Sequence, residues 1–157
     1  MHRRAAAFAE RAEQEHDFAV DVHEFPEGTK TAHDAAAAVG CDVAQIASSL
    51  VFAAPEPVVV VTSGANRVSE EKLAATHEVG ESAVEMADAD AVRETIGWSI
   101  GGVPPFCHDT AVPVYIDETL LAFDTVWAAA GTPEAVFPIT PEHLREFAGA
   151  QPADVAK

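Results

Sequence analysis

One loop of the sequence combines residue types that can hold a small ligand against the main chain. The stretch Ile100–Phe106 contains two glycines and two prolines in seven residues, which excludes a regular helix or a central strand. Glycine permits positive φ and close approach of a ligand, whereas proline fixes φ and lacks an N–H donor. Gly101–Pro105 can therefore aim a few backbone N–H groups at one carbonyl oxygen or ribose hydroxyl. A rigid turn that only connects a helix to a strand explains the same residues.

Two further features could contact a ligand. Ser63–Arg67 follows the apolar run Val58–Thr62, and its small residues leave room at the end of a strand, where binding sites are common. An ordinary turn in which Asn66 adopts the left-handed conformation is the alternative. Lys30 is one of few cations and directly precedes the predicted start of a helix, a position that could bind a phosphate. The alternative is that Lys30 is an ordinary exposed lysine.

Motifs for metal binding or nucleophilic catalysis are absent from the sequence. The histidines form no HxH or HExxH pattern, and Cys41 and Cys107 form no CxxC pair, so we expect reduced thiols and no metal site. Ser63 and Gly64 lack the GxSxG pattern of an activated serine, and glycine-rich phosphate loops are missing. Cys107 directly follows the loop and is either a reactive thiol or a buried, inert cysteine.

Helix signals recur along the chain and divide it into short elements. Apolar residues at helical spacing, capping side chains and closing glycines mark these helices. The predicted helices are Arg3–His16, one from Thr31 to Gly40, Val43–Ala47, one capped by Ser69, Asp88–Ile96 closed by Gly97, and one capped by Thr140 with Pro141 at its first position.

Strand signals alternate irregularly with these helices. The predicted strands are Val20–Phe25, Ser49–Ala53, Val58–Thr62, Val114–Ile116, Thr125–Ala129 and Ala135–Phe137. Because strands and helices do not alternate steadily, an α+β fold with a mixed sheet flanked by helices is favoured over a doubly wound parallel sheet. The segment after about Gly149 is expected to fray.

Length and composition fit one compact domain. The chain has 157 residues, 48% of them hydrophobic, and we expect a single domain over residues 1–157 with its core between about residues 20 and 148. No apolar run reaches the roughly 20 residues that a membrane helix needs, and the start lacks a secretory signal pattern. A cytoplasmic location is therefore expected.

The formal charge argues against partners rich in phosphate. Lys and Arg number 9 against 26 Asp and Glu, which gives −17, and so negative a surface repels nucleic acid at ordinary salt. Adaptation to a very salty, halophilic cytoplasm is the alternative cause, because the Debye length falls to about 3 Å at 1 M salt. If the partner is RNA, either salt must screen the negative surface, or the few cations, such as Lys30, Arg67 and Lys72, must lie together on one face. A less acidic mouth is then expected beside Gly101.

Several ordered blocks of the sequence resemble the YbaK/EbsC family, the bacterial and archaeal trans-editing domains related to the insertion domain of prolyl-tRNA synthetase. The resemblance spans Phe25 to Phe147, most of the chain. The blocks are Gly28–Ala36, Gln45–Phe52, Val59–Leu73, Ile100–His108 and Thr125–Leu144.

The resemblance implies both a fold and an activity. It implies a mixed, partly barrel-like β-sheet with surrounding helices. It also implies an aminoacyl-tRNA deacylase that hydrolyses mischarged tRNA in trans, typically tRNA for proline. In such proteins backbone groups of the loop at Gly101–Pro105 bind the aminoacyl carbonyl, and hydrolysis relies on water and the terminal ribose hydroxyl. The implied partners are the aminoacylated 3′ end of tRNA and prolyl-tRNA synthetase, with no cofactor and no membrane.

The resemblance implies a set of site residues, and this chain differs from the family pattern at some of them. Family members usually have a lysine, tied to activity and to contact with the tRNA end, where this chain has Ser48, and Lys30 is the candidate substitute. Relatives often have glycine at Cys107. The serine and aspartate of cysteinyl-specific members are missing around Ala128–Pro133, so that specificity is not expected. The expected catalytic positions are Gly101, Gly102 and Ser48, and the expected substrate contacts are Lys30, Ser49, Gly64, Val103, Pro104, Pro105 and His108.

Two other functions fit the same residues. Ser48 in place of the lysine favours a catalytically silent module that binds tRNA ends or a small aminoacyl-like ligand. An esterase or deacylase that acts on a free small molecule would need no tRNA.

Overall fold

The helices begin where the sequence places capping side chains. The structure, a computed structural model, describes residues 1–25 and 31–157. Thr31, Ser69, Asp88 and Thr140 each accept a hydrogen bond from the backbone N–H three residues later, at 2.8–3.2 Å, which satisfies a donor that the helix leaves unpaired. The helices are α1 Arg3–His16, α2 Ala32–Val39, α3 Glu70–Thr76, α4 Ala89–Thr95 and α5 Pro141–Ala148.

The predicted helix over Val43–Ala47 is wrong. Asp42 and Gln45 form a reciprocal capping box that closes a single 3₁₀ turn over Val43–Gln45. The chain then becomes extended at Ile46, which pairs with Trp127 of a neighbouring strand. Tertiary pairing of a β-branched residue has overridden the local helical signal.

The strands form one mixed sheet, which confirms the predicted α+β class. Its spatial order is β1-β7-β6-β2-β3-β5-β8, with β4 added to β2. The pairs β2–β6, β3–β5 and β5–β8 are parallel and the other pairs are antiparallel. The strands are β1 His23–Glu24, β2 Ile46–Ala53, β3 Pro57–Ser63, β4 Glu85–Met86, β5 Val114–Asp117, β6 Val126–Ala129, β7 Ala135–Ile139 and β8 Gln151–Ala153.

The sheet is open, so the barrel-like part of the expectation is not met. Strands β1 and β8 lie at its two ends and do not pair with each other in the described part of the chain. The first strand is shorter than the predicted range Val20–Phe25, because only His23 and Glu24 pair with β7. None of the helices within residues 1–25 and 31–157 is long and apolar enough to cross a membrane.

The C-terminal segment is ordered structure, and the expectation that it frays is wrong. Gln151–Ala153 runs parallel to β5, and Val68 bridges Ala156. Val155 is fully buried in the same apolar cluster as Leu73 of α3. Ala153 and Val155 of this segment are both buried, and their burial stabilises its position on the sheet.

The larger apolar cluster covers the other face of the sheet and supports the loop at Gly101–Pro105. Phe8 of α1 is completely buried and contacts the rings of Trp98, Phe106 and Phe137 at centroid distances of 5.0–6.1 Å. Trp98 and Phe106 bracket the loop in sequence. Packing on α1 and β7 therefore holds both ends of the loop in place.

Candidate active site

A cavity of about 220 Å³ lies where two parallel strands separate. Strands β2 and β6 pair only through Ile46–Trp127 and Ala47–Ala128, and beyond these pairs residues of both strands line the cavity. The described residues that line it are Thr31, Ala32, Ala35, Ile46, Ala47, Ser48, Ser49, Leu50, Val51, Met86, Ala87, Val92, Ile100, Gly101, Val103, Trp127, Ala128, Ala129 and Val136.

The edge of β2 presents polar groups to this opening. The Ile46 carbonyl accepts from Gly64 N–H on the β3 side at 2.8 Å, and the Val51 carbonyl accepts from Ala87 N–H on the opposite side at 3.0 Å. Main-chain groups of successive strand residues point to opposite edges, so the N–H and C=O of Ser49 face away from β3, past the end of the β6 ladder. The Ser49 Oγ is also buried and has no hydrogen-bond partner within the described residues.

The loop at Gly101–Pro105 starts with a tight turn that depends on glycine. The Ser99 carbonyl accepts a hydrogen bond from Gly102 N–H at 2.9 Å, and Gly101, at the third position of this turn, has φ +87°. These are features of a type II turn, which favours glycine at that position. A Cβ on Gly102 would lie 2.6 Å from Thr132 Cα, so glycine also allows the loop to approach the β6–β7 turn.

Two N–H groups of the loop remain available for a ligand. Gly102 N–H is used in the turn, and Pro104 and Pro105 have none. The N–H groups of Gly101 and Val103 have no partner among residues 1–25 and 31–157. Both residues line the cavity, whereas Gly102, Pro104 and Pro105 do not. The loop thus has two unpaired donors on residues of the cavity lining, where a ligand carbonyl could accept from them.

His108 supports this loop from behind. Its Nε2 lies 2.7 Å from the Pro104 carbonyl oxygen, which can only accept, so Nε2 carries the hydrogen. Burial lowers the pKa of His108 below its ordinary value, which keeps the imidazole neutral at pH 7. Arg11 in turn donates to the His108 carbonyl at 3.4 Å. His108 does not line the cavity. Its hydrogen bond to Pro104 stabilises the loop from outside the cavity.

The structure brings together only part of the predicted site. Ser48, Ser49, Gly101 and Val103 meet at the cavity. Gly64 is a packing glycine, because a Cβ there would lie 2.5 Å from the Val43 carbonyl oxygen and 2.7 Å from the Ala32 Cβ. Lys30 lies outside the described residues.

The Ser63–Arg67 turn is held by a buried carboxylate and does not line the cavity. Asp117 is 2% exposed and accepts hydrogen bonds from the Ser63 N–H, the Asn66 side chain and the Thr119 N–H at 2.9–3.1 Å. Burial acts to raise the pKa of Asp117, but these hydrogen bonds outweigh it and hold the pKa below its ordinary value. Asn66 does not have positive φ, so the suggested left-handed turn is wrong, and its side chain has a structural partner.

The cavity lining carries no formal charge in the described part of the chain. The expected gathering of cations beside Gly101 is not observed for the described candidates. Lys72 pairs with Asp154 at 3.1 Å, and the Arg67 carbonyl accepts from Lys157 N–H near the C-terminus. The described lining beside Gly101 is thus less acidic than the chain as a whole because it lacks charged side chains, and no cation has been shown to neutralise it.

Sequence reasoning missed most of the cavity wall. Trp127, Val92 and Val136 come from three separate elements and follow no spacing that a local motif could reveal. Met86 belongs to β4, a two-residue strand that pairs with the end of β2 and that carries no strand signal of its own. Of the described lining residues that were not predicted as site residues, only Ile100 lies within the stretch Ile100–Phe106.

Cys107 and its neighbours lie outside the cavity lining. Burial raises the pKa of the Cys107 thiol to about 12, so it is not a thiolate nucleophile at neutral pH. Ligand atoms of Glu15, His16 and Cys107 lie within 4.8 Å of one another, a set that could hold a metal and that joins two distant parts of the sequence. Glu15 already pairs with Arg11 at 3.1 Å, and His16 stacks on Phe147.

Known proteins share this architecture. A solved structure described as that of a proposed trans-editing enzyme for prolyl-tRNA synthetase superposes with a TM-score of 0.93 at 39% identity, covering 100% of this chain and 99% of that one. The structure of hypothetical protein APE2540 superposes with a TM-score of 0.84 at 25% identity, covering 96% and 99%. Among curated sequences, the uncharacterized protein YwhH of Bacillus subtilis strain 168 is 34% identical over 131 residues, 81% of this chain and 80% of the relative.

One family accounts for most of the chain. Its description is aminoacyl-tRNA editing domain, and it matches residues 26–147, a range that includes every described residue of the cavity lining. The match confirms the resemblance inferred from the ordered sequence blocks. The chain therefore belongs to the aminoacyl-tRNA editing domain family.

Proposed function

We propose that the protein is an aminoacyl-tRNA deacylase that hydrolyses mischarged tRNA in trans, with tRNA for proline as its substrate. The observation that carries the proposal is the pair of unpaired N–H groups, on Gly101 and Val103, at the wall of an uncharged cavity. Membership of the editing-domain family and the description of the relative at 39% identity support it. That description also supports prolyl-tRNA synthetase as the enzyme whose products this protein corrects.

In the proposed reaction, the aminoacyl side chain enters the cavity and the ester carbonyl lies against the loop. The oxygen of a water molecule adds to the carbonyl carbon, and the Gly101 and Val103 N–H groups stabilise the negative charge that develops on the carbonyl oxygen. The bond to the ribose oxygen then breaks, and a proton from the water passes to that oxygen. A preorganised donor of this kind contributes roughly 10²–10³ in rate.

The cavity favours a small, uncharged amino acid. Its volume of about 220 Å³ is below the roughly 300–1,000 Å³ of pockets for drug-sized ligands. Ala35, Ala47 and Ala128 contribute to its lining, and no described side chain there could neutralise a charged substrate. Burying an unpaired charge is costly, so amino acids with charged side chains are excluded.

Ser48 supports one alternative function. It lines the cavity where the family resemblance places a lysine tied to activity. A catalytically silent module that binds tRNA ends or a small aminoacyl-like ligand would keep the fold and the loop donors without turnover.

A deacylation assay decides between these functions. The protein is incubated with alanyl-, seryl- and cysteinyl-tRNA for proline, at low and at molar salt, and release of the amino acid is measured. We expect turnover of at least one substrate, with activity and stability both favoured by molar salt if the acidic surface reflects a salty cytoplasm. No release from any of them would refute the deacylase.

A Ser48→Lys variant sharpens the result. If the wild type is silent but binds the mischarged tRNA, and the lysine variant releases the amino acid, the silent binding module is supported. Release of amino acid from simple esters without tRNA would instead indicate a small-molecule esterase.

A further inference from the structure

We infer that Met86 and Ile100 form a contact surface for the base of the terminal adenosine that carries the aminoacyl group. The inference rests on the proposed function, because it assigns the part of the substrate that lies directly outside the cavity. The ester joins the amino acid to the ribose of the last nucleotide, so a base must lie within a few ångströms of the mouth whenever the carbonyl reaches Gly101.

Exposed apolar side chains are concentrated at this mouth. Among the described residues, the large apolar side chains that are more than half exposed are Met1, Met86 and Ile100. Met86 is 52% exposed and Ile100 is 53% exposed, and both line the cavity. Met86 belongs to β4 and Ile100 to the turn that contains Gly101, so the exposure of one side chain does not follow from that of the other. Exposed apolar surface around a cavity indicates a binding site.

The surface beyond Met86 has room for a base. A second cavity, of about 390 Å³, shares Val51, Met86 and Ala87 with the first. Its wall also includes the acidic residues Glu85 and Asp88, whose carboxylates can accept hydrogen bonds from an exocyclic amine but repel a phosphate. This charge favours a base over the sugar-phosphate backbone at that position.

Base contact also explains how a chain of charge −17 could bind RNA. Proteins that bind through phosphate–cation pairs lose affinity steeply as salt rises, and this cavity has no described cation in its lining. Contact between a base and apolar side chains involves no such ion pairs and strengthens slightly in salting-out conditions. The apolar mouth thus supplies affinity where the acidic surface cannot.

The test uses a Met86→Ala/Ile100→Ala double variant, with Leu121→Ala as the matched control. Leu121 is also exposed, at 37%, but lies outside both cavities. Binding of 3′-alanylamino-3′-deoxyadenosine, an amide that mimics the substrate end, is followed by NMR titration. We expect about tenfold weaker binding for the double variant and no change for the control. Equal binding by all three proteins, or no binding by the wild type, would overturn the inference.

Kinetics separate this inference from the proposed function. With a mischarged tRNA that the wild type deacylates, the double variant should raise KM about tenfold. Wild-type KM should not rise between about 0.1 and 1 M salt, a range over which the Debye length falls from about 10 to about 3 Å. An unchanged KM, or a KM that rises steeply with salt, refutes the base contact while the deacylase stands. Binding of the amide that depends on Met86 and Ile100, without any deacylation, supports the contact and refutes the deacylase.

Discussion

The loop at Gly101–Pro105 and the turn at Ser63–Arg67 are built from similar residues but differ in whether their polar groups are hydrogen-bonded. Both connect regular elements and both are rich in small residues. In the turn, Asp117 accepts hydrogen bonds from the Ser63 N–H and the Asn66 side chain. In the loop, Gly101 and Val103 line a cavity, and their N–H groups have no partners among the described residues.

This difference distinguishes a scaffold from a site. Folded proteins pair nearly all buried polar groups, so a saturated network such as that of Asp117 serves stability, whereas unpaired donors beside a cavity indicate a place for a ligand. The same contrast applies to two serines. Ser63 Oγ donates to the Ala44 carbonyl at 2.7 Å, while the buried Ser49 Oγ has no partner in the described structure.

The largest effect is expected from Gly101→Ala. Its φ of +87° is strained for any residue with a Cβ, and the substitution should cost about 1–2 kcal/mol in stability. Displacing the loop donors should also lower kcat/KM for a mischarged tRNA roughly 10²–10³-fold. Single-turnover deacylation kinetics and thermal unfolding measure the two effects.

Gly40→Ala is the control for this variant. Gly40 has a similar φ of +84°, open space within 4 Å of the point where a Cβ would lie, and no place in the cavity lining. It should lose similar stability and keep its activity. Equal activity in both variants would show that the loop is only a connector, like the turn at Ser63–Arg67.

The second-largest effect is expected at the Ser63–Arg67 turn, whose polar groups are hydrogen-bonded to Asp117. Asp117→Ala leaves the Ser63 N–H, the Asn66 amide and the Thr119 N–H without their acceptor, and should lower the free energy of unfolding by about 3 kcal/mol. Chemical denaturation measures it. The folded fraction should deacylate normally, because Asp117 does not line the cavity. A fall in kcat at full folding would contradict the division between scaffold and site.

Acid should weaken the same network by a smaller amount, since protonation keeps the side chain in place. The folded pKa of Asp117 lies below its ordinary value, so its stabilisation is complete above the ordinary value and is lost as pH falls through the folded pKa. Unfolding free energies measured from pH 6 downwards should therefore fall more steeply for wild type than for Asp117→Asn. Parallel curves would show that Asp117 is not the group that titrates.

Local signals predicted the helix starts and the loop because their causes are local. Thr31, Ser69 and Asp88 cap their helices through hydrogen bonds that span three residues. Positive φ at Gly101 likewise follows from the turn that contains it. Such features depend on neighbours in sequence, which a single sequence displays.

The cavity could not be predicted, because it depends on contacts between distant segments. It exists because the β2–β6 ladder ends at Ala47–Ala128, residues that are 81 positions apart in the chain. The short strand Glu85–Met86 and the C-terminal strand Gln151–Ala153 are stable only on the sheet that they join. The contact of His108 Nε2 with the Pro104 carbonyl oxygen also depends on how the loop folds, which its place in the motif does not display.

The smallest stability effect separates the two serines. Ser63→Ala leaves the Ala44 carbonyl and the Ala65 N–H without a partner and should cost about 1–2 kcal/mol. Ser49→Ala removes a buried hydroxyl that has no partner in the described structure, so stability should stay equal or rise by up to about 1 kcal/mol. Activity should show the reverse order, with Ser49→Ala lowering kcat/KM several-fold and Ser63→Ala leaving it unchanged. Paired thermal melts and deacylation rates test this, and a destabilised Ser49→Ala protein with normal activity would place Ser49 in the scaffold.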